Sequence, residues 1–290
     1  MSISVPALLG QLLIGLMNGS FYAVLSLGLA VIFGMLHIIN FLHGAQYMLG
    51  AFIAWLALTA LGVGYFPALI LVPVIVGLLG IVIERGLLRH LYALDPLYGL
   101  LLTFGIAVMV EGLFLRWYGS VGQTYPIPSQ FAGAVNLGFM VLPFYRLWVI
   151  VASLVVCLAT WFFIEKTKYG SYLRAATERP KLVQAFGVNV PLMLTLTYAL
   201  GAGLAAFAGV LAAPIYQVSP LMGQNILIVA FAVVVIGGMG SILGAIVTGY
   251  LLGIVEGLTK YVYPEASSLA IFVLMTVILL VRPTGLFSRD

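Results

Sequence analysis

Charged residues are scarce in this sequence, and that scarcity excludes most classes of protein. Of its 290 residues, 7% are charged and 63% are hydrophobic, whereas soluble domains carry roughly 25% charged residues. The first 83 residues contain no Asp, Glu, Lys or Arg. A soluble globular domain is therefore excluded, and the long apolar runs indicate a protein that crosses a membrane several times.

Cysteine and the common catalytic motifs are scarce as well. The single cysteine, Cys157, rules out a disulfide within the chain, and its apolar run favours a packing role. The sequence has no G-x-x-x-x-G-K-[ST] phosphate loop, no G-x-S-x-G elbow and no zinc-ligand spacing of Cys and His. We therefore expect no ATP hydrolysis, no metal and no cofactor. A membrane enzyme stays open as an alternative if the spans supply a nucleophile and a base.

The apolar runs predict an all-α, polytopic bundle of transmembrane helices. They are continuous rather than alternating, which excludes a β-barrel, and a hydrocarbon core about 30 Å thick needs about 20 residues per helix. The predicted spans are 8–34, 44–62, 66–83, 97–116, 146–164, 191–213, 224–240, 243–261 and 266–282. We expect about eight or nine spans, with broken or re-entrant segments, in a single membrane domain over residues 1–290.

The distribution of Lys and Arg predicts which segments face the cytoplasm. If residues 84–95, 165–190 and the tail from 283 are inside, with Arg282 at that membrane edge, the positive-inside rule is satisfied. The cytoplasmic side then holds Arg85, Arg89, Lys166, Lys168, Arg174, Arg179, Lys181, Arg282 and Arg289. The other side holds Arg116, Arg146 and Lys260. The net charge of +4 thus reflects orientation, and no nucleic-acid binding is expected.

The same assignment makes 117–145 an external loop and places the N-terminus outside. Residues 1–11 lack the basic region that begins a cleaved signal peptide.

Two segments interrupt the apolar runs. The first, 34–44, reads GMLHIINFLHG, and the second, 237–241, reads GGMGS. Paired interruptions in the two halves of a transporter are typical of a central site built from broken helices. The alternative is that both are tight turns between adjacent spans, and the sequence does not separate the two.

Polar side chains within the first two spans are candidates for a substrate pathway, because a small polar solute that crosses lipid needs transient hydrogen-bond partners. These residues are Asn18, Ser20, Tyr22, Asn40, His43 and Gln46. Glu111 and Glu256 are ionisable residues within spans, which also makes them candidates. Each has a structural alternative: a pair with Arg116 for Glu111, and an i,i+4 pair with Lys260 for Glu256.

The segment 165–190, called the central segment below, concentrates charge in the middle of the chain. Seven charged residues lie between 165 and 181. The pattern favours helix over 172–177, a second helical turn that starts at Pro180, and an end at Gly187. A solvated linker would explain the charges, but not the apolar set Leu182, Val183, Ala185 and Phe186. The central segment is therefore predicted to dock a soluble protein.

Several motifs, in order along nearly the whole chain, resemble the Liv-type permeases of branched-chain amino-acid ABC importers. The motifs are LMNGSFYA (16–23), INFLHG (39–44), MLGA (48–51), RAA (174–176), GVN (187–189), GGMGS (237–241), GA (244–245) and PTGLF (283–287). The chain departs from the family pattern at 177–180, where TERP stands in place of Ala-Glu-Asp and a non-proline residue.

The resemblance implies a permease that imports branched-chain or related amino acids across the bacterial inner membrane. It implies two cytoplasmic ATPases, a second permease chain that is a paralogue or a copy, and an extracytoplasmic solute-binding protein. It also implies that the ATPase docks on Arg174, Ala175, Ala176, Glu178, Phe186 and Gly187. The alternatives are a permease of the same family for urea, amides or other small solutes, and a secondary transporter that works alone and moves a proton on Glu111 or Glu256.

Overall fold

The computed structural model describes residues 4–287, and over this range the chain is a bundle of helices. The eleven α-helices of the described range are α1 (Val5–Leu36), α2 (Leu42–Leu61), α3 (Tyr65–Gly86), α4 (Pro96–Tyr118), α5 (Phe144–Lys166), α6 (Lys168–Glu178), α7 (Pro180–Ala185), α8 (Val190–Ala212), α9 (Met222–Gly237), α10 (Ile242–Val262) and α11 (Ser267–Val281). A short antiparallel hairpin joins β1 (Ala134–Asn136) to β2 (Val141–Pro143). The predicted all-α, polytopic bundle is confirmed.

Eight of the helical stretches in residues 4–287 are long and apolar enough to cross a membrane. They correspond to eight of the nine predicted spans. The remaining prediction, 224–240, corresponds to α9, which has only 16 residues. At 1.5 Å per residue α9 is about 24 Å long, shorter than a hydrocarbon core of about 30 Å.

The most extensive helix–helix contact within residues 4–287 is that of α1 with α10, and glycine makes it possible. A Cβ added at Gly253 would overlap the backbone of Gly15 and Gly19, and one added at Gly249 would lie 2.6 Å from the Cα of Ala23. In a lipid bilayer the hydrophobic effect does not drive helices together, so their association depends on small residues that allow the backbones to approach closely. Because the two helices lie so close, the side chain of Tyr22 on α1 reaches that of Glu256 on α10 and forms a hydrogen bond with it.

The first predicted interruption is a true break that enters the bundle. After α1 ends, His37 adopts a left-handed conformation with φ of 54°. The chain then turns back, so that the Nε2 of His43 lies 2.9 Å from the carbonyl oxygen of Leu25. Leu25 is about 16 Å from the end of α1 along the helix axis. Residues 37–41 therefore re-enter the bundle, and α2 begins in its interior.

The second predicted interruption is a tight turn, as the alternative interpretation had it. Gly238 and Gly240 have φ of 96° and 86°, and the Oγ of Ser241 caps α10 by accepting from the backbone N–H of Gly244 at 3.1 Å.

The connection at 213–221, between α8 and α9, falls where the predicted spans 191–213 and 224–240 leave a gap, but the sequence did not predict that α9 begins inside the bundle. A Cβ at Gly223, in the first turn of α9, would overlap the backbone of Gly44 in the first turn of α2. The two helices that start inside the bundle therefore start against each other.

The segments predicted to be cytoplasmic lie together at one end of the bundle. The end of α1, the α5–α6 junction, the turn before α10 and the C-terminal tail surround one pocket, lined among others by His37, Lys166, Arg174, Ser241 and Phe287. At the opposite end Gln123 pairs with Val218, and the backbone N–H of Ser4 donates to the hydroxyl of Tyr261 at 2.8 Å. Arg289, counted as cytoplasmic, lies outside the described residues.

Candidate functional site

A cavity of about 650 Å³ lies among α1, α2, α9, α10, α11 and the 213–221 connection. We call it the α9 cavity, because the first half of α9 forms much of its wall. Its polar lining residues are Tyr22, Tyr47, Tyr216, Asn225, Glu256 and Ser268. Its apolar lining residues are Phe21, Met222, Ile226, Ile228, Val229, Ile271 and Phe272. The size and mixed lining are typical of small-molecule sites.

The carboxylate of Glu256 is the charged group of this cavity. Its Oε2 accepts a hydrogen bond from the hydroxyl of Tyr22 at 2.6 Å, and its Oε1 lies 2.9 Å from the Nζ of Lys260. The Glu256 side chain is 12% exposed. The i,i+4 pair predicted from the sequence is confirmed. The hydrogen bond from Tyr22 joins residues 234 positions apart in the chain, so no local sequence pattern could predict it.

Two of the six predicted pathway residues belong to the cavity or its rim. Tyr22 lines the cavity, and Asn18 accepts a hydrogen bond at 3.1 Å from the hydroxyl of Tyr216, which also lines it. Ser20 is not among the lining residues. It is fully buried, and its hydroxyl donates to the carbonyl oxygen of Leu16 within α1.

The other three predicted residues form a separate buried group with Tyr198 of α8, which we call the Asn40 cluster. The hydroxyl of Tyr198 donates to the Oδ1 of Asn40 at 3.5 Å, and the Nε2 of Gln46 donates to the hydroxyl of Tyr198 at 3.4 Å. Asn40 and His43 are fully buried and Gln46 almost so. The Nδ2 of Asn40, the Nδ1 of His43 and the Oε1 of Gln46 have no hydrogen-bond partner. The structure thus divides the six predicted residues between two places.

Glu111 lies outside the cavity and has a partner that the sequence did not predict. Its Oε2 accepts from the Nε2 of Gln224, in the first turn of α9, at 2.8 Å. The alternative ion pair with Arg116 does not form: within residues 4–287 the ion pairs are Arg174 with Glu165 and Lys260 with Glu256.

Glu84, the first residue of the segment 84–95 that was predicted to be cytoplasmic, is buried within the protein. It lies in the last turn of α3 and is 1% exposed. Its two oxygens accept from the hydroxyls of Tyr92 at 2.8 Å and Thr195 at 2.7 Å. Burial, and then this hydrogen bond, raise the pKa of Tyr92 above its usual value, which keeps the hydroxyl a donor. The sequence signal was weak, because Glu84 simply follows an apolar run.

The central segment folds as two helices, as predicted. α6 covers 172–177, α7 begins at Pro180, and Gly187 has φ of 83° just after α7 ends. Phe186 is 79% exposed and Leu182 is 50% exposed, whereas Val183 is buried. The segment therefore presents large apolar side chains away from the bundle.

The predicted docking residues differ in exposure. Ala175, Glu178, Phe186 and Gly187 are exposed, while Ala176 is buried. Arg174 is half-buried because its Nη1 donates to the carbonyl oxygen of Ile164 at 3.0 Å and lies 3.4 Å from the Oε2 of Glu165. Arg174 therefore attaches α6 to the end of α5.

Comparison with known proteins identifies relatives over the whole chain. Residues 11–281 match the family described as "Branched-chain amino acid transport system / permease component". The chain is 32% identical to the high-affinity branched-chain amino acid transport system permease protein BraD of Pseudomonas aeruginosa, over 97% of this chain and 96% of that protein. It is 31% identical to the permease protein LivH of Escherichia coli, with the same coverage.

A more distant relative comes from an archaeon. The probable branched-chain amino acid transport permease protein LivH of Methanocaldococcus jannaschii is 29% identical, over 92% of this chain and 88% of that protein. No solved structure gives a significant match. The motifs, the multi-pass helical bundle and the full-length relatives agree: the chain belongs to the family of permease components of branched-chain amino acid transport systems.

Proposed function

We propose that this chain is the membrane-spanning subunit of an ABC importer that carries branched-chain or related amino acids across the bacterial inner membrane. The observation that carries the proposal is the match, over 97% of the chain, to permeases named for branched-chain amino acid transport. The α9 cavity supports it, since a carboxylate and several hydroxyl groups face aliphatic and aromatic side chains across a space large enough for an amino acid. The role is transport rather than catalysis.

Energy for this transport would come from a separate ATPase. The sequence contains no phosphate-binding loop, and α6 and α7 offer a surface on which an ATPase could act. Phe186 and Leu182 are large, exposed and apolar, and side chains of that kind dominate the energetics of protein interfaces. We propose that the predicted docking residues on the central segment form this contact.

A second permease chain is part of the proposal as well. Gln224 and Asn225, in the first turn of α9, are exposed, and Gln224 contacts Glu111 about 10 Å inside the end of α4. Exposed amide groups at this depth are costly against lipid. A partner permease or a water-filled path between the two chains would remove that cost. The external end, with the 119–143 loop, would receive the solute-binding protein.

The pathway would run through the two groups of polar side chains in turn, within a single permease domain over residues 1–290. Asn18 and Tyr22 belong to the external group at the α9 cavity. Ser20 lies between them in α1, where its hydroxyl bonds to the helix backbone. Asn40, His43 and Gln46 lie deeper, where α2 begins.

Reconstitution tests the proposal. The permease is placed in proteoliposomes with its ATPase, its second permease chain and the solute-binding protein, and uptake of radiolabelled leucine is measured. We expect uptake that requires ATP and the ATPase, and none from the permease alone. Uptake by the permease alone, driven by a proton gradient, would instead establish a secondary transporter. Uptake of urea or amides but not of amino acids would reassign the substrate.

A further inference from the structure

The α9 cavity contains a single acidic side chain, Glu256, among its lining residues. We propose that this carboxylate binds the α-ammonium group of the transported amino acid. The inference rests on the proposed function and deepens it, because it names the chemical group by which the permease recognises its cargo.

The carboxylate is held in one orientation from two sides. Tyr22 of α1 donates to Oε2 at 2.6 Å, and Lys260, one turn further along α10, pairs with Oε1 at 2.9 Å. The close glycine contacts between α1 and α10 set the separation that this geometry needs. An ionised carboxylate offers about four acceptor positions. Two remain after these contacts, and the side chain lines the cavity, so an ammonium group can be accommodated without the loss of either partner.

A purely structural ion pair does not account for these contacts. Glu256 and Lys260 alone would give an i,i+4 pair worth a few tenths of a kcal/mol on an exposed helix. The tyrosine hydroxyl from another helix and the position in the cavity wall are additional. Ionisable groups inside a membrane are costly, and the sites that keep them commonly bind ligands or ions.

The rest of the cavity suits the remainder of an amino acid. Ile226, Ile228, Val229, Ile271 and Phe272 form an apolar surface for an aliphatic side chain. Lys260 is not among the lining residues of the cavity, so its ammonium group fixes the carboxylate of Glu256 from behind the cavity wall. A site built around a charged group rejects analogues that lack the matching group far more strongly than it distinguishes one methylene.

Ligand protection of a cysteine in the cavity wall tests the inference. Ser268 lines the cavity and is exposed, and the native Cys157 is buried, so Ser268→Cys supplies one reactive thiol. The assembled transporter with this substitution is placed in nanodiscs, and its maleimide labelling rate is measured with leucine. The same is done with the α-keto acid of leucine, which keeps the side chain and carboxylate but lacks the ammonium group.

We expect saturating leucine to slow labelling by about tenfold and the α-keto acid to leave it unchanged. Glu256→Gln in the same background should abolish protection by leucine. Glu111→Gln is the matched control, since Glu111 is a buried carboxylate outside the cavity, and protection should persist. Equal protection by both compounds, no protection by leucine, or protection that survives Glu256→Gln would each overturn the inference.

The outcome is separable from that of the proposed function. If proteoliposomes take up leucine with ATP but Glu256→Gln takes it up at the wild-type rate, the importer stands and the ammonium site falls. If wild-type proteoliposomes do not take up amino acids, the proposed function itself fails.

Discussion

Asn40, His43 and Gln46 are buried polar side chains at the re-entrant start of α2, and each leaves one polar atom without a partner. A buried polar atom without a hydrogen bond costs about 1–3 kcal/mol. Three such atoms in one cluster therefore lower the stability of the fold relative to apolar residues at the same positions. A passing polar solute or water would satisfy them, which fits a pathway and not a purely structural core.

The Asn40 cluster gives the first prediction. Asn40→Leu removes the amide at similar volume and should reduce leucine uptake roughly tenfold, the equivalent of one or two lost hydrogen bonds. The measurement is uptake in proteoliposomes, with co-purification of the ATPase as the check on assembly. Asn136→Leu, at an exposed amide of the external hairpin, is the control. Unchanged uptake in Asn40→Leu would remove this residue from the pathway.

Glu84 gives a second prediction, which concerns stability. Glu84→Ala deprives the hydroxyls of Tyr92 and Thr195 of their common acceptor, and the free energy of unfolding should fall by about 1–3 kcal/mol. Thermal unfolding in detergent measures the change. Glu265→Ala removes an exposed carboxylate that also accepts from a tyrosine, so its unfolding temperature should stay that of the wild type. Equal losses in both variants would contradict a special role for Glu84.

At the scale of helices, α1 and α10 depend on glycine. Gly253→Val should force the two backbones apart, because any side chain at this position overlaps Gly15 and Gly19. Overpacking of this kind costs about 1–3 kcal/mol, measured as a lower unfolding temperature. Gly112→Val is the matched control, since Gly112 faces open space on α4. A wild-type unfolding temperature for Gly253→Val would show that the contact is not essential.

α7 should carry the contact with the ATPase. Phe186→Glu replaces an exposed aromatic side chain with a charge and should weaken ATPase binding by at least about 2 kcal/mol, as for a central interface residue. Co-purification of the two proteins is the measurement. Val121→Glu alters a residue that is 76% exposed at the opposite end of the bundle, and ATPase binding should persist. Normal co-purification with Phe186→Glu would place the ATPase elsewhere.

The sequence predicted these elements unequally, for physical reasons. Helices such as α3 and α5 are encoded by continuous apolar runs, which is local information, and so is the pair of Glu256 with Lys260. The position of the start of α9 along the chain was predicted to within two residues, but its contact with Gly44 of α2 joins distant parts of the sequence and was not predicted. The hydrogen bond from Tyr22 to Glu256 likewise depends on how α1 packs on α10. The sequence therefore could not predict the cavity, although it did identify Tyr22 and Glu256 as candidate site residues.

At the scale of the whole molecule, basic residues define two ends. The last turn of α3 with the 3₁₀ turn that follows it, the central segment and Arg282 carry eight of the nine predicted cytoplasmic Lys and Arg residues. The ninth, Arg289, lies outside the described part of the chain. In the structure the central segment and the C-terminal tail meet around one pocket, and at the opposite end the 119–143 loop pairs with the 213–221 connection through Gln123 and Val218. The positions of Lys and Arg in the loops were sufficient to predict which segments share an end, because the positive-inside rule depends on loop composition and not on how the helices pack.

An importer driven by a separate ATPase requires that α6 and α7 face the cytoplasm, where the ATPase can act on them. The direct measurement uses Phe186→Cys and Val121→Cys, each with the buried Cys157 as the only other thiol. A membrane-impermeant maleimide is applied to intact cells and to inverted vesicles. We predict that Cys at 186 reacts only in inverted vesicles and Cys at 121 only in intact cells. Reaction at 186 from outside intact cells would contradict the account.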